Sequence, residues 1–287
     1  MSTIKRRQFL KILATALAAG SLPGFYAARS KANSKIPPEF YDCPMQGDAR
    51  ILHLTDVHGQ LLPVYFREPN VNIGIGNAFG RPPHIVGQGL LNQTGLEKNS
   101  AEAYAYTYLN FMQAAQTYGK TGGFAHIKTL LNQLREQAGG IEKTLTIDGG
   151  DLWQGSATSL WTRGIDMVEA SNILGIDVMV GHWEFTYREE EGLSNIALFK
   201  GDFIGQNVRI MEDSLFGDEY PALVERFDGR GLFDEDSGHA FQPYVLKEIN
   251  GARIAVVGQA FPRTGNANPK EFFPDWSFGL REDDMAE

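Results

Sequence analysis

The chain has 287 residues, 43% of them hydrophobic and 11% aromatic, enough to bury an ordinary globular core. It carries 26 basic and 35 acidic residues for a net charge of −9, which excludes nucleic-acid binding through a general basic field. A single cysteine, Cys43, excludes an internal disulfide and a CxxC redox pair.

The first element is a leader over residues 1–32. Lys5-Arg6-Arg7-Gln8-Phe9-Leu10-Lys11 is a near match to a twin-arginine signal. Ile12 to Gly24 is apolar but only thirteen residues long, too short for a stable membrane-spanning helix. Ser30-Lys31-Ala32 supplies a small-x-small cleavage site, so the mature chain is expected to begin near Asn33, to lack a membrane span and to lie in the periplasm. The leader holds six bases and no acids. The mature chain therefore sets 20 bases against 35 acids, a balance of −15. An anionic substrate must then be held by local features rather than by the overall field.

Residues 33–49, with Pro37, Pro38 and Pro44, read as an extended arm. One domain is expected over 50–287. Ile51 to Thr55 reads as a buried strand, with His53 in its core, and it runs into Asp56-Val57-His58-Gly59. A carboxylate and an imidazole two residues apart at a strand end can reach one divalent cation. Asn70 to Gly89 is Gly-, Asn- and Pro-rich and reads as loop. Thr94-Gly95-Leu96-Glu97 has the spacing of a capping box, and Ser100 that of an N-cap for a Tyr-rich helix over Ala101 to Tyr118. Gly122 to Glu136 has helical apolar spacing after a glycine pair, with His126 in a structural place.

Three further apolar runs end in polar residues. Thr144 to Ser156 (TLTIDGGDLWQGS) runs into Asp148 and Asp151. Ile176 to Tyr187 (IDVMVGHWEFTY) runs into His182, Trp183 and Glu184. Phe203 to Val208 (FIGQNV) ends at Asn207. With helix-like stretches between the first three, this is the layout of parallel strands whose carboxyl ends converge on one site. Arg253 to Gln259 reads as another strand.

D-x-H-G, then G-D-x-x-x-G-S, then G-x-x-E-F, then a Q-N-V strand resembles the calcineurin-like metallophosphoesterases, in the bacterial 5′-nucleotidase branch. TDVHGQLLPVYFREP, VGHWEFTY and GQAFPRTGNANPKEFFPDWSFG are more similar to the SoxB-type thiosulfohydrolase family of bacterial sulfur oxidation. The resemblance runs from about Arg50 to the last residue. It implies an α/β fold of the four-layer metallophosphoesterase sandwich, truncated, with a strand-end site for two divalent metals, manganese or alternatively zinc.

By this resemblance Asp56, His58, Asp151 and His182 are metal ligands, with Asp151 bridging the two cations. Arg67, by its place beside the first ligand loop rather than by the resemblance, and Asn207, matching a family Asn near the site, are the catalytic candidates. Arg67 is read as a fork for sulfonate oxygens and Asn207 as a positioning group rather than a ligand. Trp183 and Glu184 back the site, Glu184 by orienting His182. In the nucleotidases an Asn ligand and a neighbouring His occupy the positions of His182 and Trp183. Trp183 cannot protonate a leaving group as an imidazolium would. A sulfur leaving group needs that protonation far less than an alkoxide.

The implied activity is periplasmic hydrolysis of a cysteine S-thiosulfonate on a SoxYZ-like sulfur-carrier protein with a cysteine-bearing arm, releasing sulfate, by a monomeric enzyme. The alternatives are a 5′-nucleotidase-type phosphoesterase and a non-catalytic remnant. The last arises because the further histidine ligands of the family have no counterpart after Asn207.

Overall fold

The computed structural model describes residues 41–65, 74–85, 87–98, 100–106, 111–215, 217–218, 225 and 237–286. The leader and Arg67 lie outside the described residues. The chain divides into two compact units, one containing Val64–Thr121 and the other Glu39–Pro63 with Gly122–Glu287.

The second unit carries four parallel strands: β1 (Arg50–Leu54), β4 (Thr144–Asp148), β5 (Val178–Val180) and β6 (Asp202–Ile204), in the order β1-β4-β5-β6. In the first unit, β2 (Val64–Tyr65) and β3 (Lys120–Thr121) form a short antiparallel clasp, with the Lys120 ammonium 5.5 Å from the Tyr65 ring centre. Helices α1 (Gly87–Thr94), α2 (Ala101–Tyr106) and α3 (Phe111–Tyr118) follow the first of these strands. Ser100 caps α2 as expected, its hydroxyl accepting from the Ala103 N–H at 3.1 Å. Thr94 does not start a helix. It ends α1, donating back to the Leu90 carbonyl at 2.8 Å.

Helix α4 (Phe124–Ala138) precedes β4 in the chain. It stops at Gly139, whose left-handed φ of 91° closes the last turn onto Arg135 and Glu136. Arg135 is buried, and its guanidinium donates to the Leu174 and Gly175 carbonyls and to the Thr146 hydroxyl, each at 2.8 Å. One cation thereby ties α4, β4 and the end of the next helix pair together. That pair is α5 (Ala157–Thr162) and α6 (Ile165–Leu174), and α7 (Glu189–Leu198) connects β5 to β6.

The sheet is apolar on both faces, as a parallel sheet in an α/β fold requires. One face packs Leu52, Leu131, Trp153, Met167, Leu174, Met179, Phe185 and Phe203. The other packs Leu145, Val178 and Ile204 against a hairpin of β8 (Tyr244–Ile249) and β9 (Ala252–Val257) through Val245 and Val256. A strand pair β7 (Arg209–Ile210) and β10 (Trp276–Ser277) closes an aromatic cluster around Phe185, Phe241, Phe273 and Trp276.

His53, expected in the core, is exposed with Ile51 on the same side of strand β1. β1 is an edge strand, and the hairpin's apolar contacts are with the β4, β5 and β6 residues of that face. Among the described residues no helix is long and apolar enough to cross a membrane.

Candidate metal centre

The loops after β1, β4 and β5 carry the polar residues singled out in the sequence, and the backbone holds these loops together. The Asp56, His58 and Gly59 N–H groups donate to the Gly150, Asp151 and Leu152 carbonyls at 3.0, 2.8 and 3.1 Å. The β1–β4 pairing therefore continues past the strand ends. Gly150 has φ 91°, and a β-carbon there would lie 2.7 Å from the Val180 carbonyl oxygen and 2.9 Å from the His182 nitrogen. Glycine is what lets the second and third loops touch.

Glu184 fixes the same two loops. Its carboxylate is buried and accepts from four backbone N–H groups: His182 at 2.7 Å, Leu152 at 2.8 Å, and Asp151 and Trp153 at 3.1 Å. In the sequence, Glu184 is read as orienting His182. It does so through the His182 backbone rather than the ring, and it orients Asp151 as well.

Asp56, His58 and Asp151 each adopt a left-handed backbone, with φ of 54°, 55° and 58°. Such φ values are costly for non-glycine residues and cluster at functional sites. The three side chains offer ligand atoms that all lie within 4.8 Å of one another. The His58 Nε2 is 3.3 Å from Asp151 Oδ2 and 3.8 Å from Asp56 Oδ1. The His182 Nδ1 is 3.6 Å from the same Asp151 Oδ2. That nitrogen is buried and makes no hydrogen bond. These separations are long for hydrogen bonds. Donor atoms sharing one cation at about 2.1 Å each sit roughly 3.0–3.5 Å apart in octahedral or tetrahedral geometry. A buried imidazole nitrogen with no hydrogen-bond partner, aimed at a buried carboxylate, suits a divalent cation. Nitrogen and oxygen donors of this kind accommodate zinc and manganese alike.

Asp151 is almost wholly buried, whereas Asp56 and His58 are about half exposed, so the site has a closed floor and an open face. Asp148, three residues before Asp151, is buried. Its carboxyl is pushed up to about 8, first by loss of water and then by the surrounding carboxylates, against the pull of its 2.8 Å bond from the Gly150 N–H.

The structure brings together Asp56, His58, Asp151 and His182. Trp183 stands beside them, half-buried, its ring stacked 6.0 Å from Phe261, which itself lies 4.6 Å from the His182 ring. Asn207, read in the sequence as a positioning group, contacts backbone. Its amide is buried and bonds the Ala260 N–H and carbonyl and the Gly279 carbonyl, all at 2.8–2.9 Å. It thereby anchors the segment that presents Phe261 to His182, and all its amide groups are spent on backbone.

Gln154 was missed in the sequence. Its amide donates to Asp151 Oδ1 at 2.7 Å. The signal was its place three residues after Asp151 in the same GDLWQGS string.

No family model matches the chain. Among solved structures it is similar to the SoxB sulfate thiohydrolase of Thermus thermophilus in complex with glycerol, at 33% identity and TM-score 0.59 over 85% of this chain and 41% of that one. A 5′-nucleotidase precursor from Thermus thermophilus, at 16% identity and TM-score 0.50 over 83% of this chain and 33% of that one, shares the fold. Among curated proteins, the 5′-nucleotidase of Rattus norvegicus is 24% identical over 144 residues, which is 50% of this chain and 21% of the rat protein. The chain thus spans about two-fifths of the SoxB structure and about a fifth of the rat protein.

Proposed function

The chain is a SoxB-like member of the 5′-nucleotidase superfamily, corresponding to the N-terminal part of those proteins, and from that premise we propose that it carries the first share of a two-metal hydrolase for carrier-bound cysteine S-thiosulfonates. The observation that carries the reading is the pair His182-Trp183 at the third strand end. An imidazole stands there beside Asp151, and an indole stands where a phosphoesterase of the nucleotidase branch has its histidine acid.

Asp56, His58, Asp151 and His182 would hold the cations, manganese or zinc. When bound, these would lower the pKa of a water and take up charge on the sulfonate oxygens. The chain's own residues supply the rest. Glu184 fixes the loops that carry Asp151 and His182. The Trp183–Phe261 pair shields one side of His182 from solvent. In the hydrolysis, water oxygen bonds to the terminal sulfone sulfur and the S–S bond breaks. The electron pair leaves with the persulfide anion on the carrier, and sulfate and two protons are released. A persulfide is stable as an anion, so no acid is required at position 183. Arg67 is proposed as a fork for sulfonate oxygens, since guanidinium suits such anions. Delivery to the periplasm by the twin-arginine leader fits a carrier substrate met outside the cytoplasm.

The second reading, a nucleotidase-type phosphoesterase, is favoured by the similarity to the rat 5′-nucleotidase. The two separate on a full-length protein offered AMP and a thiosulfonated carrier. Sulfate release with little phosphate release is expected, and rapid phosphate release without sulfate would overturn the proposal. Metal content tests the ligand set. His182→Asn keeps an amide oxygen and is expected to retain metal, while His182→Ala is expected to lose it. Full metal occupancy in the alanine variant would exclude His182 as a ligand.

A further inference from the structure

We propose that Gln154 sets the denticity of Asp151, holding one carboxylate oxygen so that only the other is offered to the metal centre; this rests on the metal-site reading above.

The two oxygens of Asp151 have separate surroundings. Oδ1 receives the Gln154 amide at 2.7 Å. Oδ2 receives nothing from that side and faces His58 Nε2 at 3.3 Å and His182 Nδ1 at 3.6 Å. A carboxylate in this setting only accepts, so the Gln154 side chain must turn its nitrogen toward it and cannot reverse. The carboxylate is also fixed in place. Asp151 is nearly fully buried, its backbone N–H is held by Glu184 at 3.1 Å, and its carbonyl is held by the His58 N–H at 2.8 Å.

With the main chain pinned and Oδ1 tethered to Gln154, turning the carboxylate to chelate one cation through both oxygens costs that hydrogen bond. The carboxylate therefore presents Oδ2, the oxygen on which both imidazoles converge. Groups that hydrogen-bond a metal-binding carboxylate commonly change affinity about 10- to 100-fold when removed.

The test uses the 287-residue chain loaded with cobalt(II), whose visible absorption weakens as its coordination number rises. In Gln154→Met, which keeps the side chain's length and removes the donor, Oδ1 is freed to chelate. The expected result is a weaker visible band and about tenfold weaker cobalt binding, with the far-ultraviolet circular dichroism of the metal-free chain unchanged. Gln154→Ala adds no atoms and carries the same test should methionine not be accommodated. An unaltered spectrum with unaltered affinity in the variant overturns the role of Gln154 while leaving the metal site standing. Absence of cobalt binding by the unsubstituted chain overturns the metal reading and this inference together.

Discussion

The strand-end loops and the β8–β9 hairpin lie in one compact unit and are stabilised in opposite ways. The loops at Asp56–Gly59, Gly149–Trp153 and Gly181–Glu184 bury charge, tolerate three left-handed non-glycine residues and hold together through backbone N–H groups. The hairpin packs alternate side chains on the sheet, Val245 buried and Ile254 and Val256 partly buried, and leaves Tyr244, Leu246 and Val257 about half exposed. In the loops, position is fixed by hydrogen bonds to one buried carboxylate. In the hairpin, apolar area on the sheet is joined by the Lys247–Asp202 ion pair and by the Asn250 amide on the Asp48 carbonyl. A site that must hold Asp151 and His182 in one fixed geometry needs the first kind of restraint, because apolar packing alone allows side chains to slide.

The largest effect should come from Glu184. Replacing it with alanine leaves four buried N–H groups without their shared acceptor, and hydrogen bonds to a charged group contribute about 1.5–3 kcal/mol each when buried. Allowing for water entering the space, Glu184→Ala should cost about 4 kcal/mol in urea unfolding. Glu184→Gln, which keeps one acceptor, should cost about half as much by the same reasoning. A loss under about 1 kcal/mol for the alanine variant would mean the loops are held by something other than this carboxylate.

Asp148 sharpens the contrast by pH. Burial raises its carboxyl to about 8 in the folded chain, while in the unfolded chain it titrates near the ordinary carboxylate value of 3.8. Above that lower value the unfolded state gives up its proton and the folded state keeps it. Folding is therefore progressively disfavoured as pH rises from about 4 to about 8 and levels off above. In the metal-free protein the loss between pH 5 and 8 should be about 2 kcal/mol, reduced from the full linkage value by local relaxation. Asp148→Asn keeps an acceptor for the Gly150 N–H and removes the titration. Its stability should be flat across that window, and it should be the more stable chain at about pH 8. Parallel pH profiles for the two proteins would show that Asp148 is not the group responsible.

Much of the sheet was legible in the sequence because each strand is a short apolar run ending in a glycine or a polar residue. Ile51 to Leu54, Thr144 to Asp148 and Val178 to Val180 lie where the sequence placed them. The hairpin was half legible. Arg253 to Gln259 reads as a strand, and β9 covers it as far as Val257, but Tyr244 to Ile249 interleaves Lys247 and Glu248 with its apolar residues, and nothing in the sequence says which face is covered. His53 misled for a related reason. Its strand is apolar, yet it lies at the sheet edge, and only tertiary contacts decide what covers an edge. Asp56, His58, Asp151 and His182 could be located because they follow strand ends, but that pattern alone is weak, and it was the family resemblance that named them as ligands. Asn207 could be located but not assigned. A buried amide that ties Ala260 to Gly279 is a long-range fact, 53 and 72 residues away in sequence.

The smallest effect belongs to the hairpin's outer face, and its value lies in the pairing with the inner one. Val245 and Leu246 are neighbours on the same strand, one packed against the sheet and the other 56% exposed. Val245→Ala removes two buried methyl groups and should cost about 2 kcal/mol, from lost transfer energy and the space left behind. Leu246→Ser should change stability by less than about 0.5 kcal/mol, because its exposed half already meets water and serine fits a strand. Thermal melts of both variants read the difference directly. If Leu246→Ser costs as much as Val245→Ala, the outer face is packed against something in solution, and apolar burial on the sheet is not what holds the hairpin in place.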